Sequence, residues 1–232
     1  MEIAAPHPQV LPFFPQYSIE SMVESAITNY RESENCVGHQ QRAMMTWVML
    51  TAFVESGGIP GIDLGSAGVQ HLGCLSVDIV GTGEVPHYGG KMDGVHLKAD
   101  AGNLFMLGDD SFSCVISNHT VEHLLCDKLV GSVTPEQRIQ FGCPGYEVAN
   151  ILRKHWIRIV RPGGLVLIIA PDQKAASDAG SSVFLQDPGH RHAFSAESFY
   201  ENVIESLLDV VEVVNMPQFD NQFSWFYLLK KK

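Results

Sequence analysis

Apolar residues recur at spacings of three and four from position 18 onward (Ile19, Met22, Val23, Ala26, Ile27), and 40–54 carries few breakers, so 18–56 is predicted helical. Gly57 and Gly58 close that region. The pattern then changes to short apolar runs separated by turns bearing glycine, proline or acid. Strands are predicted at 59–64, 74–79, 95–99, 113–117 and 165–170, with two more at 210–214 and 223–229. The run 165–170 is apolar throughout, as in a strand covered on both faces. A helix is predicted to start at 121–124. Another spans 146–160 and is stopped by Arg161-Pro162-Gly163-Gly164. Ser195 is placed to N-cap a helix running through Leu208. Residues 127–145 mix glycine, proline and charge and form an excursion.

Strands alternating with helices predict an α/β fold, a doubly wound and mostly parallel seven-stranded sheet with helices on both faces. Only 215–222 joins the final two strands. That is too short for a parallel crossover, so the last strand is expected to run antiparallel. Residues 1–56 read as a helical lead-in or lid belonging to the same domain as 57–232.

Composition narrows the class. A chain of 232 residues, 45% hydrophobic and 18% charged, fits one soluble α/β domain with a full core. The longest apolar runs, 47–54 and 165–170, fall short of the ~20 residues of a spanning helix. The start, MEIAAPHPQVLPFFPQ, lacks the basic-then-apolar order of a secretory signal. Five cysteines without a C-x-x-C pair point to free thiols in a reducing, cytoplasmic setting, and away from a disulfide framework or a zinc ribbon. A net charge of -11 repels a nucleic-acid backbone and suits a cationic small ligand.

In a doubly wound sheet the ligand lies beyond the carboxyl ends of the strands. The strand ends here carry Asp63 through Gly68, then Asp78, then Asp100-Ala101, then Asn118-His119. Gly65 and Gly68 permit a tight turn and close approach of backbone to a ligand. An acid ending the second strand can accept hydrogen bonds from a ribose diol. An acid ending the third can accept from an adenine amino group. Each feature taken singly is also what an ordinary turn or helix cap would show.

In their order, the segments GIDLGSAG, LSVDI, LKADAGNLFMLGDDSFSCVISNHTVEHL and LRKHWIRIVRPGGLVLIIAPD resemble successive motifs of the class I S-adenosylmethionine-dependent methyltransferases, nearest the group called methyltransferase type 11. The later DPGHRHAFSAESF and FSWFYLLKK resemble the same group, so the likeness covers about 59–230. It implies a Rossmann-like methyltransferase fold and S-adenosyl-L-methionine as cofactor. By position it implies that Asp63, Gly65, Ser66 and Gly68 line the methionine end of the cofactor. Asp78 would hold the ribose, Ile79 would pack on the adenine, and Asp100 with Ala101 would meet the adenine ring. Asn118 and His119 would lie beside the sulfonium. Two features depart from the pattern. The helix after Gly68 is cut to about one turn, and the excursion at 127–145 is long.

Methyl transfer needs nucleophile, methyl and sulfur held in line, and an alcohol or phenol acceptor needs its proton removed. His119, at the strand end facing the methyl, is the first candidate base, against the plainer reading of a loop hydrogen bond. His123 lies one helical turn on, a spacing that suits a metal pair but more often marks a capping or packing histidine. His190 and His192, near Asp187, form a second cluster, the next candidates for the catalytic base after His119 and otherwise read as substrate-side or structural; no metal site is expected. Phe13, Phe14, Tyr17 and Tyr30 could close a lid or simply pack. The leading expectation is O- or N-methylation of a small-molecule or glycan-type acceptor, with no nucleic-acid partner and no membrane span. One rival is a catalytically silent scaffold of the same fold. The other is an NAD-dependent oxidoreductase, disfavoured because His71 stands where a third glycine belongs.

Overall fold

The computed structural model describes residues 37–67, 73–84, 94–124, 145–172, 190, 192, 194–219 and 224–232. Gly68, Asp187, the aromatic lead-in and nearly all of the 127–145 excursion lie outside the described residues.

The apolar runs become β1 (Gly61–Leu64), β2 (Cys74–Asp78), β3 (Leu97–Lys98), β4 (Phe112–Asn118), β5 (Val160–Pro171), β6 (Val211–Phe219) and β7 (Ser224–Lys231). They form a seven-stranded sheet in the order β3-β2-β1-β4-β5-β7-β6. β1 through β5 pair in parallel. β7 is antiparallel to both β5 and β6, as the short connection predicts.

Helices cover both faces. α1 (Val37–Glu55) presents Met45, Val48, Met49 and Ala52 to Cys74, Cys114, Ile116 and Leu167. Cys74 and Cys114 are free, buried thiols. On the other face lies α2 (Gly145–Ile151), carried on by wider π-type winding through Leu152–Ile157. Beside it runs α3 (Ala196–Phe199), continued through Tyr200–Ile204 and Glu205–Leu207. Leu152, Trp156, Phe199 and Val203 there pack with Ile62, Leu64, Val115 and Tyr227. Each such side chain contributes roughly 1.5–3 kcal/mol by leaving water. Ser195 caps α3 through a reciprocal bond with Ser198, as anticipated. The polar tips of the buried aromatics are met by main chain: Trp156 Nε1 donates to Ala101 O at 2.9 Å, Tyr227 Oη to Ala196 O at 2.8 Å and Trp225 Nε1 to Phe194 O at 3.4 Å.

Three expectations change in detail. The helix predicted at 121–124 is a single 3₁₀ turn, Val121–His123. The strand read at 95–99 pairs only through Leu97–Lys98. Arg161-Pro162-Gly163-Gly164 does not separate helix from strand but lies inside β5. Phe112 pairs with Val160 and Cys114 with Leu165, so these four residues are accommodated as an irregularity against β4. Among the described residues no helix is long and apolar enough to cross a membrane.

Candidate functional site

The chain winds outward from β1 in one direction through β2 and β3, and in the other through β4 and β5. The switch therefore falls between β1 and β4, the place where an open α/β sheet leaves a crevice at its carboxyl edge. Gly65 and Ser66 leave β1 on one side of it, and Asn118 and His119 end β4 on the other.

The turn after β1 is folded back on β2. Gly65 N and Ser66 N both donate to Val77 O, at 2.8 and 3.2 Å. Gly65 has φ +74°, and a Cβ there would stand 2.0 Å from Thr120 Oγ1, which itself donates to Leu64 O at 2.9 Å. Only glycine fits both constraints. Asp78 then ties two turns together. Its Oδ2 accepts from Ala67 N and its Oδ1 from Val80 N, each at 3.0 Å. Each oxygen keeps a further lone pair for a ligand hydroxyl. Ile79 beside it is 59% exposed, an apolar side chain at the rim.

Asp63 lies inside β1 and is 3% exposed. Burial, helped by the neighbouring charge of Asp78, raises its carboxyl from the usual range to about 8. At the end of β3, Asp100 Oδ1 accepts from Gly102 N at 2.7 Å, which shapes the turn carrying Ala101. Ser66 Oγ and Asn118 Oδ1 are buried without a hydrogen-bond partner among the described residues. Ser113 and Ser117 within β4 share that state, but Ser66 and Asn118 are set apart by flanking the switch point. Such orphaned groups cost free energy unless a ligand or water meets them.

His119 is held in an unusual way. Its φ is +54°, a conformation that costs a non-glycine residue about 1 kcal/mol. Its N–H donates to Ile169 O at 2.9 Å, and its Nε2 lies 3.1 Å from Ser224 Oγ, which accepts from Gln41 Nε2 at 3.2 Å. Nδ1 lies 3.5 Å from Oε1 of the buried Glu122. Glu122 is also 3.9 Å from His123 Nε2, and the His123 and His190 rings meet at 4.8 Å. His192 behaves differently. It is 3% exposed, its N–H donates to Glu122 O at 3.1 Å, and its Nε2 lies 3.1 Å from Leu124 O. The structure thus gathers His119, His123 and His190 around Glu122 and binds His192 into the scaffold. Sequence reasoning passed over Glu122 and Ser224. The spacing of Glu122 three residues after His119 was a usable signal; Ser224, far along the chain, gave none.

No known family's sequence model matches the chain, and no curated protein sequence matches it. Solved structures do resemble it in shape. The N-methyltransferase NodS from Bradyrhizobium japonicum WM9 is 13% identical, with 86% of this chain and 98% of that chain covered and a TM-score of 0.47. An S-adenosylmethionine dependent methyltransferase from Mesorhizobium loti is 14% identical, covering 74% and 90%, at 0.47. One from Archaeoglobus fulgidus is 15% identical, covering 78% and 92%, at 0.45. At these identities and scores no activity follows from them.

Proposed function

We propose that the carboxyl edge of β1–β4 binds S-adenosyl-L-methionine and that the protein transfers the methyl group to oxygen or nitrogen of a small-molecule or glycan-type acceptor. The observation that carries this reading is Asp78. It is a buried carboxylate at the end of β2, fixed by amides of the turns that follow β1 and β2, one strand from the switch point. The orphaned Ser66 Oγ and Asn118 Oδ1 on either side fit a polar ligand seated between them. When bound, the cofactor supplies an electrophilic methyl on a sulfonium.

The chain's own residues have the following parts. Asp78 accepts hydrogen bonds from the ribose diol, and Ile79 covers the adenine. Asp100 and Ala101 bound the adenine from β3. Gly65 lets the backbone approach the methionine end, where Ser66 and Asn118 offer polar contacts and Asp63 lies beneath. A cationic ammonium near Asp63 would favour its ionised form. His119, held by Glu122 beside Nδ1, is the base: its Nε2 takes the proton of an acceptor hydroxyl that replaces Ser224 Oγ as its partner. His192 positions the segment that carries His190.

Calorimetry with S-adenosylhomocysteine and with NAD tests the cofactor; binding of NAD alone would sink the reading. Asp78→Ala, confirmed folded, is expected to weaken S-adenosylhomocysteine by ~1–3 kcal/mol, since two hydroxyls lose a charged acceptor. An unchanged dissociation constant would assign the ribose to another residue. With an acceptor in hand, His119→Ala should lower turnover on the order of 10²-fold while cofactor affinity stays nearly intact. The reverse split, affinity lost and saturated turnover kept, would make His119 a pocket wall.

A further inference from the structure

We propose that Glu122, His123 and His190 form a binding site for a divalent transition-metal ion of the zinc type. One carboxylate oxygen and one nitrogen from each imidazole lie within 4.8 Å of one another. Ligands held at about 2.0–2.2 Å from a common tetrahedral ion stand roughly 3.5 Å apart, a closure that small side-chain rotations supply. The donors come from two chain segments, and those segments are already locked together. His192 N–H donates to Glu122 O at 3.1 Å, and His192 Nε2 lies 3.1 Å from Leu124 O. The cost of bringing the ligands together is therefore met by folding.

Burial gives the site a direction. Glu122 is 2% exposed and approaches from the core, while His123 and His190 are half-buried at the rim. The carboxylate has His119 Nδ1 at 3.5 Å, an outer partner of the kind that orients metal ligands. Donor chemistry chooses the ion. Two imidazoles and one carboxylate suit zinc and its neighbours, and are too rich in nitrogen for calcium or magnesium. Three protein ligands leave a fourth position for water or an added ligand. The site itself stands whether or not the neighbouring edge binds S-adenosylmethionine. A further consequence does rest on that reading: an acceptor hydroxyl taking the open position would be made more acidic beside His119.

The test uses the full chain stripped with a chelator, free of any S-adenosyl ligand, and titrated with cobalt(II). Visible d–d bands should saturate at one equivalent and be bleached by zinc(II). His123→Ala and His190→Ala should each weaken cobalt binding more than roughly 100-fold, since even outer partners of such sites are worth about 10–100-fold. His96→Gln, on the far side of β2, should leave it unchanged. Glu122→Gln should act like the histidine variants. If that buried change prevents folding, the two half-buried histidine variants decide. Absence of bands in the wild-type protein, or bands surviving both histidine substitutions, overturns the proposal. Because the readout is spectroscopic and cofactor-free, it fails or succeeds separately from the methyl-transfer reading.

Discussion

The two edges of the sheet handle charge in opposite ways. At the amino edge Asp109, Asp110 and Asp209 each have a cationic side chain. Lys231 Nζ donates to Asp110 Oδ1 at 2.6 Å and to Val160 O at 2.7 Å, Arg158 pairs with Asp109, and Arg153 grips both oxygens of Asp209 at 2.7 Å. At the carboxyl edge Asp63, Asp78 and Glu122 are 3%, 8% and 2% exposed. The partners seen for Asp78 are main-chain amides, and those beside Glu122 are imidazoles. Pairing inside the molecule closes the first edge to ligands. At the second edge the partners described are main-chain amides and imidazoles, a setting that suits the cations proposed above, whether a sulfonium, an ammonium or a metal.

That contrast can be broken most forcefully at Asp63. Its folded-state pKa of about 8 lies above its unfolded value, so the stability tied to its proton is full below the ordinary carboxylate range and is lost as pH rises through about 8. Asp63→Asn should therefore match wild type near pH 4 and become progressively more stable than it towards pH 8, by up to about 1.4 kcal/mol per pH unit. Urea unfolding at several pH values checks this, and parallel curves for the two proteins would mean that Asp63 is ionised in the fold. Next in size is Gly65→Ala. The 2.0 Å approach to Thr120 Oγ1 and the positive φ should together cost about 2–4 kcal/mol of unfolding free energy. A loss below about 1 kcal/mol would show that the turn relaxes freely. The smallest effect belongs to the amino edge. Lys231→Gln should cost about 1 kcal/mol or less in the same assay, and with smaller consequence at high salt. A larger loss would show that this edge too depends on particular charges.

What was legible in the sequence was local. The apolar runs marked β1, β2, β4 and the core of β5, because a strand buried on both faces shows itself in consecutive residues. The polar residues placed at strand ends, Asp78, Asp100, Asn118 and His119, do sit at the carboxyl edge. What stayed hidden depends on pairing between distant segments. Val160 joins β5 only because Phe112 is there to meet it, which no reading of Arg161-Pro162-Gly163-Gly164 alone reveals. His192 resembled His190 in sequence, yet the main chain of 122–124 captures one ring while His123 meets the other. The Ser224 contact to His119 likewise arises only when β7 is laid against β5.

That placement of β7 has a consequence for how the protein is made. β7 is translated after β6 yet lies between β6 and β5. While the ribosome is still extending the chain, β5 can zip onto β4 but must leave its other side open, and β6 has nothing to dock against. The sheet therefore cannot be completed by simple addition of each new strand as it emerges. The strand that fills the gap also delivers Ser224 to His119, so a nascent chain halted before β7 lacks both a closed sheet and the hydroxyl that fixes this histidine.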